Sequence, residues 1–304
     1  MHDKINYVYT AFPHLGAAYF GTHGLVAELK RTGRLHYEYN TQGGDFINEE
    51  ELVKYPILFM NGHTLGKVLD VAKDQFRANY HSESYFTRHG KVVGSGNLLM
   101  ERQNQFDIIF YCAEADADRF SIPSVFCSVW ADTNVMYPME RETSKRLFFM
   151  GGLSGREDFL MQDRRGDIVR QQTEFHKDPF TNVMRYTDLM ANYLHIVNPP
   201  GRLYNGVTGR IYEILACGRL CYQFYNPDTM FRTLKEFEDG KHVVYFKTMD
   251  ELLDKYEYYK SHEAEAWEIA KAGHQKFLDG HTQVHRAEFL VNEILDRANC
   301  RVGV

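Results

Sequence analysis

The amino-acid sequence predicts an α/β protein with two parallel sheets, each covered by helices and carried by two halves joined near residue 140. Three observations predict it. Short β-branched or aromatic runs alternate with helical patterns along the whole chain, which is the signature of parallel strands under helices. A polar stretch carrying Pro138, residues 132–144, divides that alternation into two series and reads as a linker. The 304 residues, 44% of them hydrophobic, are enough for two cores of ordinary size.

In the first series, strands are expected at residues 5–10, 35–39, 57–61, 78–81, 106–112 and 124–128. Between them the clearest helix is 65–76, because Leu65, Val68, Leu69, Ala72 and Phe76 recur at helical spacing and form one apolar face. The second series opens with a strand at 147–150 and a helix at 156–172 with a basic outer side. It continues with a helix at 181–193 and a strand at 194–197. After a loop at 199–205, Thr208 supplies a helix start and Gly218 a helix stop. Strands at 221–224 and 243–246 follow. Residues 249–297 are then almost continuously helical, with breaks near Ser261 and at Gly280.

Composition removes several classes of function. A net charge of −6 argues against a surface that traps nucleic acid or anionic membrane as a whole, though a local basic cleft is compatible with it. No apolar run approaches the roughly 18 residues that cross a bilayer, so no integral membrane association is expected. The five cysteines show no disulfide framework, and no charged-then-apolar leader opens the chain, so the thiols are expected reduced and the protein cytoplasmic. Twenty tyrosines and 21 phenylalanines suit a carbohydrate-stacking cleft and a thick core equally.

In open α/β sheets ligands bind beyond the carboxyl ends of strands, so the loops there are where chemistry is sought. Loop 11–24 holds Pro13, His14, Gly16, Gly21, His23 and Gly24. It lacks the dinucleotide fingerprint and also reads as an ordinary strand-to-helix loop. Loop 151–156, Gly-Gly-Leu-Ser-Gly-Arg, is more specific. Gly152, Ser154 and Arg156 stand where a diphosphate can meet helix amides and a bidentate cation, with Arg156 in place of a metal; the plain alternative is a Gly-rich turn with Arg156 in solvent. The third constellation is Asn205-Gly-Val-Thr-Gly-Arg-Ile-Tyr-Glu-Ile-Leu-Ala-Cys-Gly218. There Thr208, Gly209 and Arg210 open a helix, and Arg210 and Glu213 share one face. A bound anion and a carboxylate accepting ribose hydroxyls fit that pattern. An Arg–Glu surface pair fits less well, because apolar residues flank Glu213.

Thr208 to Gly218, Phe237-Glu-Asp-Gly240, Met249-Asp-Glu-Leu252, Ile269-Ala-Lys-Ala-Gly273 and the tail with His281, Thr282, His285 and Arg286 occur in a characteristic order. Together with Asp107-Ile-Ile-Phe110 and the Asp132 to Pro138 linker, they resemble the carboxyl half of spore-maturation-protein-like glycosyltransferases over about residues 106–290. The amino half matches that family only loosely. The resemblance implies a GT-B architecture, two Rossmann-like domains facing each other across a cleft, with the last helices crossing back. On that basis residues 1–140 are expected to form the acceptor domain, 141–280 the nucleotide-sugar domain and 281–304 the returning helix. It further implies that Glu213 holds the donor ribose and that Arg156 with the Thr208–Arg210 turn holds the diphosphate.

Sugar transfer with inversion needs a base for the acceptor hydroxyl. His14 and Glu83 lead as catalytic candidates, with Glu114 and Asp116 behind them; if configuration is retained, such residues position substrate instead. Glu114, Asp116 and Asp118 offer the spacing of a cation site, but an acidic helix start explains them as well, and no metal or cofactor is expected. Cys217 and Cys221 lack partners at zinc spacing. His281 and His285 are expected to line the interdomain side. The expected function is transfer from a nucleotide-sugar, a UDP-sugar first, to an acceptor that can be DNA, glycan, protein or small molecule. A hydroxymethylated base in DNA is compatible with the arginines at 164, 165, 170 and 185, which a solvated helix face explains too. The alternative is a non-catalytic nucleotide-sugar-binding module.

Overall fold

The computed structural model describes residues 2–9, 17–40, 47–61, 66–81, 102–112, 114–116, 118–151, 156–171, 179–200, 209–227 and 230–302. Along the chain these form β1 (Ile5–Tyr9), α1 (Ala17–Arg31), β2 (Leu35–Asn40), α2 (Glu49–Val53), β3 (Ile57–Asn61), α3 (Gly66–Val71), β4 (Phe76–His81), β5 (Ile108–Tyr111) and β6 (Ser124–Phe126). The second series is β7 (Leu147–Met150), α4 (Glu157–Leu160), β8 (Ile168–Gln171), α5 (Pro179–Ala191), β9 (His195–Asn198), α6 (Arg210–Ala216), β10 (Leu220–Phe224), α7 (Phe231–Glu236) and β11 (Val244–Phe246). Three helices close the chain: α8 (Met249–Ser261), α9 (Glu263–Leu278) and α10 (Gln283–Val302).

Two compact units result. Gly21–Ser128 and Gln283–Val304, with β1, make up the first, and Val129–Thr282 the body of the second. In the first, six strands pair in parallel in the order β2-β1-β3-β4-β5-β6. Strands β1, β3 and β5 are buried at every position, as continuous apolar runs covered on both faces must be. Val8, Leu58, Met60 and Ile109 from the strands meet Leu52, Val68, Leu69 and Ala72 in one core. The polar Asn6 is tolerated in β1 because its amide donates to the carbonyls of Leu52 (2.7 Å) and Tyr55 (3.1 Å).

The helix expected at 65–76 ends at Val71, and Phe76 opens β4, its N–H donating to Pro56 O at 2.8 Å. Phe76 fits both periodicities, and strand pairing decides between them.

The second unit holds a parallel sheet in the order β11-β10-β9-β7-β8. Helix α6 stops where Gly218 predicts. Gly218 has φ 65°, and the N–H groups of Gly218 and Arg219 donate to Leu215 O (3.0 Å) and Ile214 O (3.2 Å), a Schellman closure. Gly273 of α9 packs where a Cβ would collide with the backbone carbonyl of His242 and reach Leu215 at 2.8 Å, so α9 lies directly on α6.

Two expectations are corrected here. The helix expected at 156–172 is only the short α4, followed by a turn and β8. Gly166 takes φ 69°, and the buried Asp163 carboxylate accepts the N–H groups of Asp167 (3.2 Å) and Ile168 (2.9 Å), releasing Ile168 and Val169 into the sheet. The stretch 132–144 read as a linker is part of the second unit. Val135 and Met136 are buried in the core of the second unit, Val135 O accepts from Thr187, and Met139 O from the buried Arg219.

Candidate functional site

The order of the second sheet determines where a ligand can enter. The chain leaves β7 toward β8 on one side and toward β9 on the other, which makes the carboxyl ends of β7 and β9 a topological switch point, where α/β sheets open a crevice. Gly151 follows β7 directly, with φ 133° and its N–H on Gln171 O at 3.2 Å. Its missing side chain matters. A Cβ there would stand 2.7 Å from one terminal nitrogen of Arg210 and 2.8 Å from the other, so the end of the guanidinium fork occupies the space that a side chain would need.

Around that guanidinium the chain has built a fixed frame. The rings of Phe149 and Tyr186 have their centres 5.6 and 5.8 Å from Arg210 Cζ. Glu213, three residues on along α6, brings Oε2 to 3.9 Å from Arg210 Nε, and the Tyr186 hydroxyl donates to the same Oε2 at 2.5 Å. Both side chains are mostly covered, 15% and 17% exposed, so their pairing is not that of a solvated surface pair. Arg210 Nε and Nη1 are buried and make no hydrogen bond among the described residues. A buried guanidinium with unspent donors is costly unless an anion completes it.

Arg156 belongs to the same place. It precedes α4, is partly buried, and its N–H meets Glu157 Oε2 at 3.1 Å. Burial lowers its pKa first and the nearby Arg210 cation second, with Tyr186, Glu213 and Glu157 opposing. Two guanidiniums that repel each other, faced by the partly covered Glu213 and the exposed Glu157, are relieved by an anionic ligand between them. Tyr186, on α5, is pushed up by burial well above the usual phenol range, so it stays a hydrogen-bond donor.

Arg156, Gly209, Arg210 and Glu213 are thus described, and the last sits beside Gly209, whose added Cβ would come within 3.8 Å of Glu213 Oε1. Gly152, Ser154, Thr208, His14 and Glu83 lie outside the described residues. Loop 11–24 is shorter than expected, since Gly21, His23 and Gly24 fall inside α1. Glu114 and Asp116 occupy a single 3-10 turn and are 3% and 0% exposed. Asp116 Oδ2 stands 3.8 Å from His81 Nε2 at the end of β4, a pair the sequence did not suggest. Among the described residues no group of three or more His, Cys, Asp or Glu could hold a metal ion. Cys217 and Cys221 are buried in the second core, and burial pushes the Cys217 thiol up to about 12. His281 is 2% exposed, packed on Tyr212 and Phe237 with Nε2 at 3.0 Å from Glu236, so it is a core residue of the second unit.

Tyr186 and Phe149 were missed by sequence reasoning. Each sits at an apolar position of its element, and nothing in spacing separates a ring that frames a cation from one that fills a core.

Two parallel Rossmann-like sheets, one per unit, give the chain a two-domain GT-B fold, the fold of many glycosyltransferases. Residues 161–292 match the family model described as glycosyl transferase-like, so that stretch carries a glycosyltransferase-like domain. No curated protein matches the chain in sequence. Among solved structures, the chain is similar to sucrose-phosphate synthase from Thermosynechococcus elongatus, with TM-score 0.67 and 11% identity over 98% of this chain and 100% of that one. HepE from Anabaena, solved with UDP and glucose, gives TM-score 0.64 and 11% identity over 96% and 99%. An α-glucosyltransferase solved with UDP and a 13-mer DNA gives TM-score 0.61 and 12% identity over 97% and 99%. The chain spans about half the length of TarM, 54%. No helix among the described residues is long and apolar enough to cross a membrane.

Proposed function

We propose that the chain is a metal-independent glycosyltransferase that moves a sugar from a nucleotide-sugar, a UDP-sugar first, to an acceptor hydroxyl. The observation that carries this reading is the cluster of Arg156, Arg210 and Glu213 at the switch point of the second sheet. In transfer the anomeric C–O bond to phosphate breaks, the acceptor oxygen forms the new bond to that carbon, and its proton leaves to a base or to solvent. Charge then accumulates on the departing diphosphate, and two guanidiniums can neutralise it where other enzymes use a divalent cation. Gly152, Ser154, Thr208 and Gly209 complete the diphosphate cradle in this reading, and Glu213 takes the ribose hydroxyls.

The first unit serves the acceptor, with His14 and Glu83 as the groups to test for proton removal. Within glycosyltransferases, the ordered motifs favour the spore-maturation-protein-like members. DNA as acceptor draws support from the α-glucosyltransferase solved on DNA and from the exposed Arg164, Arg165, Arg170 and Arg185 of the second unit. The absence of disulfides among the described cysteines fits a reducing cytoplasm.

Slow hydrolysis of UDP-glucose or a related UDP-sugar, unchanged by EDTA, is the expected outcome of incubation without acceptor. Absence of both hydrolysis and binding across uridine, guanosine and thymidine sugars would end the proposal, and loss of activity in EDTA would end its metal-free part. Transfer to DNA would fall steeply between low and moderate salt, and an activity indifferent to salt excludes that acceptor. A second reading, a binding module without turnover, draws on the family match being confined to 161–292; saturable UDP-sugar binding with no turnover on any acceptor would select it.

A further inference from the structure

We infer that Tyr186 is a positioning residue for nucleotide recognition: by holding Glu213 Oε2, it leaves Oε1 as the one carboxylate oxygen that accepts from the ribose. The inference rests on the proposed donor site and adds to it a residue from a different helix.

Three features of the geometry support it. The Tyr186 hydroxyl and the Arg210 Nε both address Oε2, at 2.5 and 3.9 Å, and no described residue donates to Oε1. The tyrosine is buried on α5, where its ring also stands against the Arg210 guanidinium, so one side chain sets the aim of both charged groups. Oε1 is turned toward Gly209, the residue that precedes α6, where an added Cβ would stand 3.8 Å from it.

Without the hydroxyl, the carboxylate is free to swing onto the unspent donors of Arg210, closing the ion pair on itself. Both groups would then be withdrawn from a ligand, but the ribose contact would suffer most, because in this reading it is made to Oε1.

The test compares UDP with 2′,3′-dideoxy-UDP on the intact chain by calorimetry. Wild type is expected to prefer UDP by roughly tenfold or more, the value of a hydrogen bond to a charged group. In Tyr186→Phe that preference should shrink to about twofold, UDP losing clearly more affinity than dideoxy-UDP does. A merely structural role would weaken both ligands alike, and that result, or an unchanged preference, overturns the inference. Adding Tyr186→Phe to Glu213→Ala should change the preference no further; additive losses would also overturn it. Tyr186→Met, which fills similar space without a donor, gives a second reading should the phenylalanine variant not fold. If wild type binds both nucleotides equally, the ribose role of Glu213 falls and this inference with it. If it binds neither, the donor site itself falls.

Discussion

The guanidinium of Arg210 fills the space beside Gly151 where a side chain would go, so that a Cβ at Gly151 would stand 2.7 Å from it. The glycine also takes φ 133°, a conformation that side chains rarely adopt. Gly151→Ala therefore meets two penalties at once, backbone strain of about 1–3 kcal/mol and displacement of a buried cation. We predict a lower melting temperature together with loss of UDP binding, read by thermal shift with and without nucleotide. Unimpaired binding in the alanine variant would show that Arg210 does not touch the ligand from this position.

Arg210→Lys keeps the charge and loses the planar fork that packs between Phe149 and Tyr186. Donor affinity should fall by roughly tenfold or more, because a charge-assisted hydrogen bond is worth about 1.5–3 kcal/mol. A titration that gives the same Kd as wild type would remove Arg210 from the anion site.

Gly273→Ala tests the packing beneath the site. The added methyl has no room between His242 O and Leu215, and α9 must lift from α6, the helix that carries Arg210 and Glu213. Overpacking of this kind costs about 1–3 kcal/mol, to be read from denaturant unfolding, with nucleotide affinity falling alongside.

His195, at the start of β9, hydrogen bonds Tyr222 Oη at 3.0 Å and is lowered to about 4, by burial above all. The folded state binds this proton less readily than the unfolded chain. Its contribution to stability is therefore complete above the ordinary histidine pKa of about 6.5 and is lost as pH falls toward 4, up to about 3 kcal/mol. Unfolding free energies measured from pH 7 to pH 4 should decline, and His195→Gln should flatten part of that slope. A slope unchanged by the substitution would assign it to other groups.

Much of the fold was legible because parallel strands buried on both faces leave short apolar runs that no other element explains; β1, β3, β7 and β10 all appear within a residue of where the pattern puts them. The three closing helices were legible from their near-continuous helical pattern, their breaks falling beside Ser261 and at Gly280. The helix expected over 156–172 failed because Asp163 and Gly166 act through a turn whose hydrogen bonds have no periodicity. The burial of Val135 and Met136 within the polar stretch 132–144 was not legible either, since they find their partners far along the chain.

For the site, local sequence determined which residues could bind an anion: a glycine-ended strand, Arg156, and a helix with Arg210 and Glu213 on one face. Only tertiary structure brought Gly151 under Arg210 and Tyr186 onto Glu213, contacts spanning 59 and 27 residues of chain. Such contacts follow from sheet order and helix packing, which are properties of the assembled core. A local pattern can name a charged group, but its partner is set by what lies beside it once the core has formed.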